Sequence, residues 1–267
     1  MNILDQIVES KKKELKNLKE AIPLRQIEKT QLFGRKCISL KSRLEKPGSW
    51  GIIAEFKRKS PSRGIINDRH GVEEVTTAYT EAGAAALSVL TDSLYFGGST
   101  EDLLCARLLN SCPVLRKDFI VDEYQLYEAK AMGADIILLI AACISPAKTK
   151  KLAALAHSLG MEVLLELHNE KELNQINEYV DFAGINNRNL KDFSVDINTS
   201  LQLGKNIPKS IIKISESGLN SAHSIVNLYR EGFRGFLMGE AFMSKDNPGA
   251  ECKKLIQTIS SFIDIAE

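Results

Sequence analysis

Short apolar runs alternate with longer amphipathic segments along most of this chain. From about Gly51 onward, each apolar run is followed by a polar or glycine-containing loop and then by a segment with helical periodicity. The eight predicted strands are Ile52–Phe56, Ala86–Leu90, Val114–Arg116, Ile136–Ile140, Val163–Leu167, Phe182–Ile185, Ile211–Ile214 and Gly235–Met238. Strands that are apolar on both faces and alternate with helices are typical of a parallel sheet.

The segments between these strands have the spacing of helices. Several end in a glycine just before the next strand, as in EAGAAALSVL and AMGADIILLI, and glycine there supplies a left-handed cap. The predicted helices are Val72–Glu81, Thr100–Asn110, Glu123–Ala131, Pro146–Ser158, Lys171–Glu178, Ser221–Glu231 and Gly249–Ile265. Eight strand–helix units in 267 residues predict an α/β fold, the (β/α)8 TIM barrel, whose usual size is about 250 residues. A doubly wound open sheet, the alternative, usually carries a glycine fingerprint after its first strand, which this sequence lacks.

The residues before the first predicted strand have the pattern of a helical extension. The apolar side chains on one face of its first helix are Leu4, Ile7, Leu15 and Leu18. The Lys11–Lys13 run is expected to face solvent, and Pro23 is expected to open a second short helix through Ile27. We interpret residues 1–47 as a lid packed on a barrel of residues 48–267, which makes the chain a single domain.

The balance of charge argues against several classes of partner. With 35 Lys and Arg against 34 Asp and Glu, the net charge is +1, which does not favour nucleic acid or an anionic membrane. The apolar runs are far shorter than the roughly 20 residues of a membrane span, and the amino terminus lacks a secretory core. We therefore expect a cytoplasmic protein. Its five cysteines show no CxxC spacing, which is typical of reduced thiols, and no Cys/His cluster indicates a metal.

The first predicted strand ends in a series of charges, within the segment IAEFKRKSPSRG. Glu55, Lys57 and Lys59 alternate with Phe56 and Arg58, so in a strand all three would lie on one face. Burying such charges without partners is costly. The face is therefore either a solvated edge or the place where a charged ligand binds.

Polar residues also follow the other predicted strands. The strand ends contribute Glu55, Lys57, Lys59 and Ser60; Thr91, Asp92 and Tyr95–Ser99; Arg116–Phe119; Leu138; Glu166; Asn186–Arg188; Ser215–Gly218; and Gly239 and Glu240. In a TIM barrel the carboxyl ends of all strands meet at one face, where active sites lie. Together these residues would supply general acids, general bases and a polarising amide. The sequence therefore predicts an active site at this face.

Two of the strand ends have the composition of a phosphate site. Ser217–Gly218 follows the seventh strand and Gly239 the eighth, in the loops that bind phosphate in many TIM barrels. Backbone amides of small residues can bind a dianion without a long side chain. Lys59, with the Ser60–Ser62 turn, is expected to add a positive charge and hydroxyl groups.

These residues together resemble one enzyme family. The segments AEFKRKSPSRG, LSVLTDSLYFGGS, PVLRKDFIVDEYQLYEA, LLELHN, GINNRNL, ISESGL and FLMGEAFM are similar to those of indole-3-glycerol-phosphate synthase. The resemblance extends from the first strand to the last helix, includes the helical extension, and is to the monofunctional form. Related phosphate-binding barrels share the loops after strands seven and eight, but not KxSPS together with RKDF.

The resemblance implies a carboxy-lyase reaction of tryptophan biosynthesis. In it, 1-(2-carboxyphenylamino)-1-deoxyribulose 5-phosphate closes to indole-3-glycerol phosphate with loss of carbon dioxide and water. By similarity, Lys117 is the general acid for the ketone oxygen, and Lys57 pairs with the anthranilate carboxylate and assists dehydration. Glu166 is the base of the dehydration, with Glu55 and Asn186 holding substrate and lysines in place.

The same resemblance assigns substrate contacts. Phe96, Phe119 and Leu138 would form an apolar slot for the aromatic ring. Arg188 and Glu216 match orienting charges of the family's active site. The remaining substrate-binding matches are Lys59, Ser60, Ser217, Gly218 and Gly239. The resemblance implies no metal or organic cofactor, a small phosphorylated substrate as the only partner, and a monomer.

Glu240 departs from the pattern, because some family members carry Ser or Thr after the glycine of strand eight. A hydroxyl contact to phosphate is then missing. The backbone amide of Glu240 can still donate, while the acidic side chain would have to turn away from the dianion.

Two other functions remain open on the sequence. An isomerase of the same barrel group, phosphoribosylanthranilate isomerase, would need that family's amino-terminal cysteine motif, which is not seen here. A degenerate barrel would bind a phosphorylated ligand without converting it. Against that stands the intact set of Glu55, Lys57, Lys117, Glu166 and Asn186.

Overall fold

The chain folds as a closed barrel of eight parallel strands, as the alternation of apolar runs predicts. The computed structural model describes residues 3–46, 48–190 and 192–263. Each strand pairs with the next one along the chain, and the eighth pairs with the first. The strands are β1 (Ile52–Phe56), β2 (Ala86–Leu90), β3 (Val114–Lys117), β4 (Ile136–Ile140), β5 (Glu162–Leu167), β6 (Phe182–Asn186), β7 (Ile212–Glu216) and β8 (Phe233–Met238).

Successive side chains of each strand point alternately into the barrel and out toward the helices. In β1, Ile53 packs in the interior cluster, whereas Ile52, Ala54 and Phe56 pack in the layer between strands and helices. Both layers are apolar, which explains why the strands read as continuous apolar runs. Glu55 shares the parity of Ile53 and therefore points inward, at the carboxyl end of the barrel.

Helices cover the outside of the barrel, and three further helices form the described part of the amino-terminal extension. They are α1 (Ile3–Ala21), α2 (Leu24–Ile27), α3 (Leu40–Leu44), α4 (Val72–Glu81), α5 (Ser93–Phe96), α6 (Thr100–Leu109), α7 (Tyr124–Ala131), α8 (Pro146–Ser158), α9 (Asn198–Gly204), α10 (Ala222–Arg230), α11 (Glu240–Met243) and α12 (Pro248–Ile263). The short helix predicted after Pro23 is present as α2. The last two residues of the predicted carboxy-terminal helix, 264 and 265, lie outside the described residues.

One predicted helix has a different form, and the helices α3, α5, α9 and α11 were not predicted. The segment predicted as Lys171–Glu178 is a 3-10 helix, Glu170–Gln175, whose end is fixed because the buried Gln175 amide donates to the Ala141 carbonyl at 2.8 Å. Helix α9 was missed because its short sequence, NTSLQLG, has little apolar periodicity.

Helix α1 packs with its apolar face on the carboxyl end of the barrel, but one prediction for it is wrong. Ile7 and Leu15 are buried as expected, and so is Lys11, of whose surface only 2% is exposed. Lys12 and Lys13 do face solvent. Lys11 lies four residues from each of the two buried apolar residues, so it falls on the packed face of the helix.

Acidic partners explain why Lys11 can be buried. Its ammonium lies 3.2 Å from Asp118 Oδ1, 3.3 Å from Asp92 Oδ2 and 2.9 Å from Glu14 Oε2. Burial acts to lower the pKa of Lys11, but these carboxylates outweigh it and raise the pKa. Asp92 and Asp118 follow β2 and β3, so this cluster fastens α1 to the carboxyl end of the barrel.

Helix α3 closes the opposite end of the barrel. Glu162, at the start of β5, accepts a hydrogen bond from Ser39 Oγ at 2.5 Å and one from the Leu40 amide at 2.7 Å. Leu40 and Leu44 pack in the same interior cluster as Ile7. The extension therefore covers both ends of the barrel, α1 at the carboxyl end and α3 at the amino end.

Two further expectations concern the chain as a whole. No helix within the described ranges is both long and apolar enough to cross a membrane. All five cysteines are free thiols, which agrees with the expectation of reduced residues.

Candidate active site

Two adjoining pockets open at the carboxyl end of the barrel. The inner pocket, of about 150 Å³, lies under α1 and is largely apolar. The outer pocket, of about 630 Å³, lies against the loops after β1, β6, β7 and β8. The characteristic residues of the inner pocket are Leu4, Ile7, Phe96, Phe119 and Leu138, and those of the outer pocket are Arg63, Gly218, Asn220, Gly239 and Lys245. Both pockets are bordered by Glu55, Lys57, Arg188, Ser217 and Glu240.

A largely buried lysine between two carboxylates lies beside the inner pocket. Lys117 Nζ, at the end of β3, donates to Glu166 Oε2 of β5 and to Glu216 Oε2 of β7, each at 2.8 Å. These strands alternate around the barrel, so their inward side chains meet at one level. Burial acts to lower the pKa of Lys117, but the two carboxylates outweigh it and raise the pKa. Lys117 therefore carries a positive charge at neutral pH.

The two carboxylates differ although they share the same cation. Burial acts to raise the pKa of Glu166, but Lys117 and then His168 lower it well below its usual range. Burial raises the pKa of Glu216 to about 7, because Lys117 offsets it only in part and Glu166 adds repulsion. Among the described residues, Glu216 Oε1 has no hydrogen-bond partner. Environments that separate two carboxyl pKa values in this way are typical of acid–base sites.

The residues at the end of β1 form a second ion pair. Lys57 Nζ lies 2.8 Å from Glu55 Oε1, and Ser88 Oγ donates to Glu55 Oε2 at 3.2 Å. Burial acts to raise the pKa of Glu55, but Lys57 and Lys117 outweigh it and lower the pKa. The inward face of β1 is therefore a charged wall of the site, as the alternation of Glu55 and Lys57 predicts.

Glu166 is held from its other side by two polar residues. Asn186 Nδ2 donates to Glu166 Oε1 at 3.0 Å, and Asn186 Oδ1 accepts from the Arg188 amide at 3.0 Å. His168 Nε2 lies 3.1 Å from Glu166 Oε1, and its Nδ1 lies 3.5 Å from Glu172 Oε2. Burial acts to lower the pKa of His168, but the two glutamates raise it to about 9.

The inner pocket is a slot between aromatic and aliphatic side chains. The rings of Phe96 and Phe119 are tilted by 39° with centroids 5.8 Å apart. Leu138 of β4 lies below them, and Leu4 and Ile7 of α1 cover the slot. Such a slot excludes water from the neighbouring lysine and carboxylates, which strengthens their interactions.

The outer pocket is built from small residues and charged side chains. Ser217 and Gly218 both have left-handed backbones, with φ of 67° and 74°. A side chain at Gly239 would place its Cβ 2.7 Å from Glu55 Oε1, so a larger residue there would displace Glu55. Glu240 Oε1 lies 2.9 Å from Arg63 Nη2, and Glu240 Oε2 lies 3.3 Å from Arg188 Nη2.

The two pockets bring together most of the predicted site residues. Those that line them are Glu55, Lys57, Ser60, Phe96, Lys117, Phe119, Leu138, Glu166, Asn186, Arg188, Glu216, Ser217, Gly218, Gly239 and Glu240. Lys59 is outside this set, because the chain leaves β1 after Phe56 and Lys59 Nζ donates to the Leu94 carbonyl at 2.7 Å. The described part of the chain holds no group of three or more His, Cys, Asp and Glu that could bind a metal ion.

Sequence reasoning missed three groups that border the site. Lys11 was placed in solvent although its spacing from Ile7 and Leu15 puts it on the packed face of α1. His168 received no role from the sequence, although it lies two residues after Glu166 and so shares its inward face. Arg63 follows the SPS turn, and no pattern in the sequence indicates that it reaches Glu240.

The fold and the pockets define a class: (β/α)8 barrels that hold a largely buried lysine and neighbouring carboxylates at the carboxyl end of the barrel. A family model described as "Indole-3-glycerol phosphate synthase" matches residues 4–255, and the chain belongs to this family.

Two curated relatives carry the same name. The chain is 45% identical over 258 residues to indole-3-glycerol phosphate synthase of Bacteroides thetaiotaomicron, covering 97% of this chain and 99% of that protein. It is 42% identical over 263 residues to the enzyme of Polynucleobacter asymbioticus, covering 95% and 98%.

Solved structures with the same fold include tryptophan synthase alpha subunits. That of Legionella pneumophila has a TM-score of 0.59 at 14% identity and covers 84% of this chain and 98% of that chain. A mutant of that of Pyrococcus furiosus has a TM-score of 0.60 at 15% identity, with 80% and 98% covered. At this identity the likeness concerns the fold alone.

Proposed function

We propose that this chain is an indole-3-glycerol phosphate synthase in activity as well as in family. Its substrate would be 1-(2-carboxyphenylamino)-1-deoxyribulose 5-phosphate, which is closed, decarboxylated and dehydrated to indole-3-glycerol phosphate. The observation that carries the proposal is the position of Lys117, charged and held by two carboxylates in an apolar slot that adjoins a pocket rich in cations and glycine. The two pockets suit the two ends of this substrate, an aromatic ring and a phosphate.

In the first step, the ring carbon that bears the carboxylate attacks the ketone carbon. A carbon–carbon bond forms, the carbonyl electron pair moves to oxygen, and Lys117 donates a proton to that oxygen. The ring slot of Phe96, Phe119 and Leu138 holds the two carbons in contact, which reduces the entropic part of the barrier. The ammonium of Lys57 pairs with the substrate carboxylate.

Decarboxylation and dehydration follow from the same arrangement. Carbon dioxide leaves with its bonding pair returned to the ring, which restores aromaticity. The new hydroxyl then leaves as water, with Lys57 assisting its departure. The carbon next to nitrogen loses a proton to Glu166, so the pyrrole double bond forms. Asn186 and Glu55 position Glu166 and Lys57 through the hydrogen bond and the ion pair described above.

At the other end, we assign the phosphate to the outer pocket. The support is the left-handed backbone at Ser217 and Gly218, the close approach allowed by Gly239, and the guanidinium of Arg188. Lys59 and Ser60 belong to the loop after β1, and a movement of Lys59 away from the Leu94 carbonyl would bring it to the same pocket. We also propose a cytoplasmic monomer in which residues 1–47 and 48–267 form one domain, on the family resemblance.

Incubation of the protein with the carboxyphenylamino-deoxyribulose phosphate tests the proposal. We expect the absorbance and fluorescence of an indole to appear with the parent protein and not with Lys117→Met. Binding measured by calorimetry without formation of indole would indicate a barrel that only binds its ligand. Consumption of phosphoribosylanthranilate in its place would indicate the isomerase.

A further inference from the structure

The side chain of Glu240 lies where two segments of the outer pocket meet. Its carboxylate joins Arg63, in the loop after β1, to Arg188, in the loop after β6, at 2.9 and 3.3 Å. Glu240 itself follows Gly239 at the end of β8. Three separate loops are therefore linked through one carboxylate at the border of the pocket.

The two arginines are the groups that a phosphate would be expected to contact. A guanidinium presents its N–H groups in a fork that fits a carboxylate or a phosphate equally well. The Glu240 carboxylate therefore occupies donors that a phosphate monoester needs. A phosphate monoester carries close to two negative charges at neutral pH, whereas Glu240 carries one, so the dianion is the stronger competitor for both arginines.

The exposure of the three side chains allows such an exchange. The side chain of Arg63 is 64% exposed, and those of Glu240 and Arg188 are 29% and 23% exposed, whereas Lys117 and its two carboxylates are nearly buried. Ion pairs that reach solvent contribute little to stability, so breaking the contact with Arg63 costs little, and the contact with Arg188 is long at 3.3 Å. The Glu240 contacts are thus the replaceable part of an otherwise fixed site.

We propose that Glu240 is an internal competitor for the phosphate of the substrate: it binds Arg63 and Arg188 in the free protein and yields them to a dianionic ligand. This inference rests on the proposed function only in taking a phosphate monoester as the ligand. Glu240 then determines specificity, because a ligand with a single negative charge gains little by displacing an equal charge. It lowers the affinity for phosphate in general and raises the preference for dianions over monoanions.

The test is the affinity for inorganic phosphate, measured by calorimetry on the full chain. We expect Glu240→Gln to bind phosphate about tenfold more tightly than the parent, because one repelling charge at the border of the pocket is removed. The matched control is Glu178→Gln, which removes the same charge from an exposed ion pair with Lys150 just before β6, at the other end of the barrel. This control should leave the affinity unchanged.

A second pair of variants tests whether the arginines carry the effect. In an Arg63→Gln background, Glu240→Gln should tighten phosphate binding by a clearly smaller factor, because the competed donor is absent. Unchanged or weaker phosphate binding in Glu240→Gln would overturn the proposal, and so would a gain that is the same with and without Arg63. Both results are independent of indole formation, so they are distinguishable from a failure of the proposed reaction. Thermal unfolding of each variant establishes that it is folded.

Discussion

The inner and outer pockets adjoin, but they are built in different ways. The inner pocket is closed by α1, and beside it Lys117 donates to both Glu166 and Glu216, each at 2.8 Å. The outer pocket is larger, and its contacts run through the exposed side chain of Arg63 and the half-buried side chain of Glu240. The groups proposed to react are therefore preorganised, whereas the groups proposed to bind phosphate must rearrange. In such a site the reacting groups are held in place, and the conformational change on binding is confined to the pocket that takes the phosphate.

The largest effect is expected at Lys117, which belongs to the preorganised inner pocket. The change Lys117→Met keeps the length of the side chain and removes the proton donor, so kcat should fall between about a hundredfold and ten-thousandfold. The affinity for inorganic phosphate, which concerns the outer pocket, should change far less. Single-turnover kinetics and phosphate calorimetry measure the two quantities. Near-normal turnover would remove Lys117 from the mechanism.

The next largest effect should come from the attachment of the lid. Lys11→Met removes the buried cation beside Asp92 and leaves Asp118 paired with Arg116 alone, so we expect a loss of about 3 kcal/mol in the free energy of unfolding. Its neighbour Lys12 is exposed and provides the control, for which Lys12→Met should cost less than about 0.5 kcal/mol. Urea denaturation measures both. Equal effects at Lys11 and Lys12 would mean that the packing of α1 on the barrel does not depend on the buried ion pairs of Lys11.

Glu216 should make the stability of the inner site depend on pH. Its pKa is about 7 in the folded protein, above the unfolded value of 4.5, so its contribution to stability is present below about pH 4.5 and lost as pH rises through 7. Glutamine does not titrate. The stability of Glu216→Gln relative to the parent should therefore increase between pH 5 and pH 8, by an amount of the order of 2 kcal/mol. A difference that is constant over this range would contradict the burial argument.

The smallest effects should separate the two lysines near β1. Lys57→Ala removes a half-buried charge beside the reacting groups and should lower kcat by roughly thirtyfold, equivalent to about 2 kcal/mol. Lys59 is assigned to the phosphate, so Lys59→Ala should mainly raise KM. The increase should be less than about tenfold, because Lys59 must first leave the Leu94 carbonyl. A substrate analogue without phosphate should remain sensitive to Lys57→Ala and become insensitive to Lys59→Ala. The reverse result would exchange the two roles.

The sequence predicted the barrel well because both layers of its core are apolar. A fully apolar segment such as Ile136–Ile140 is predicted as a strand without ambiguity. Once the strands are assigned, the barrel fold alone predicts that Lys117, Glu166 and Glu216 meet at its carboxyl end. What could not be predicted depends on tertiary contacts. The pairing of Arg63 with Glu240 joins loops that are remote in sequence and has no periodic signal.

The burial of Lys11 is a different case, because the sequence did contain a signal for it. The Lys11–Lys13 run was read as one solvated surface, although its first member has the spacing of the packed face. A charge on an apolar stripe needs a partner, and the partners lie after β2 and β3. Position in the helical pattern was therefore a better guide than residue type.

The covering of both barrel ends by the extension has a consequence for the order in which the chain acquires its structure. The extension leaves the ribosome before the barrel does, yet Leu40 bonds to Glu162, 122 residues further on, and Lys11 bonds to aspartates beyond β2 and β3. Such distant contacts form late, because the intervening chain must first be ordered. The extension is thus synthesised before the barrel but docks on it late. Until β5 has been synthesised, the apolar faces of α1 and α3 stay available to chaperones, and a chain released early keeps them exposed.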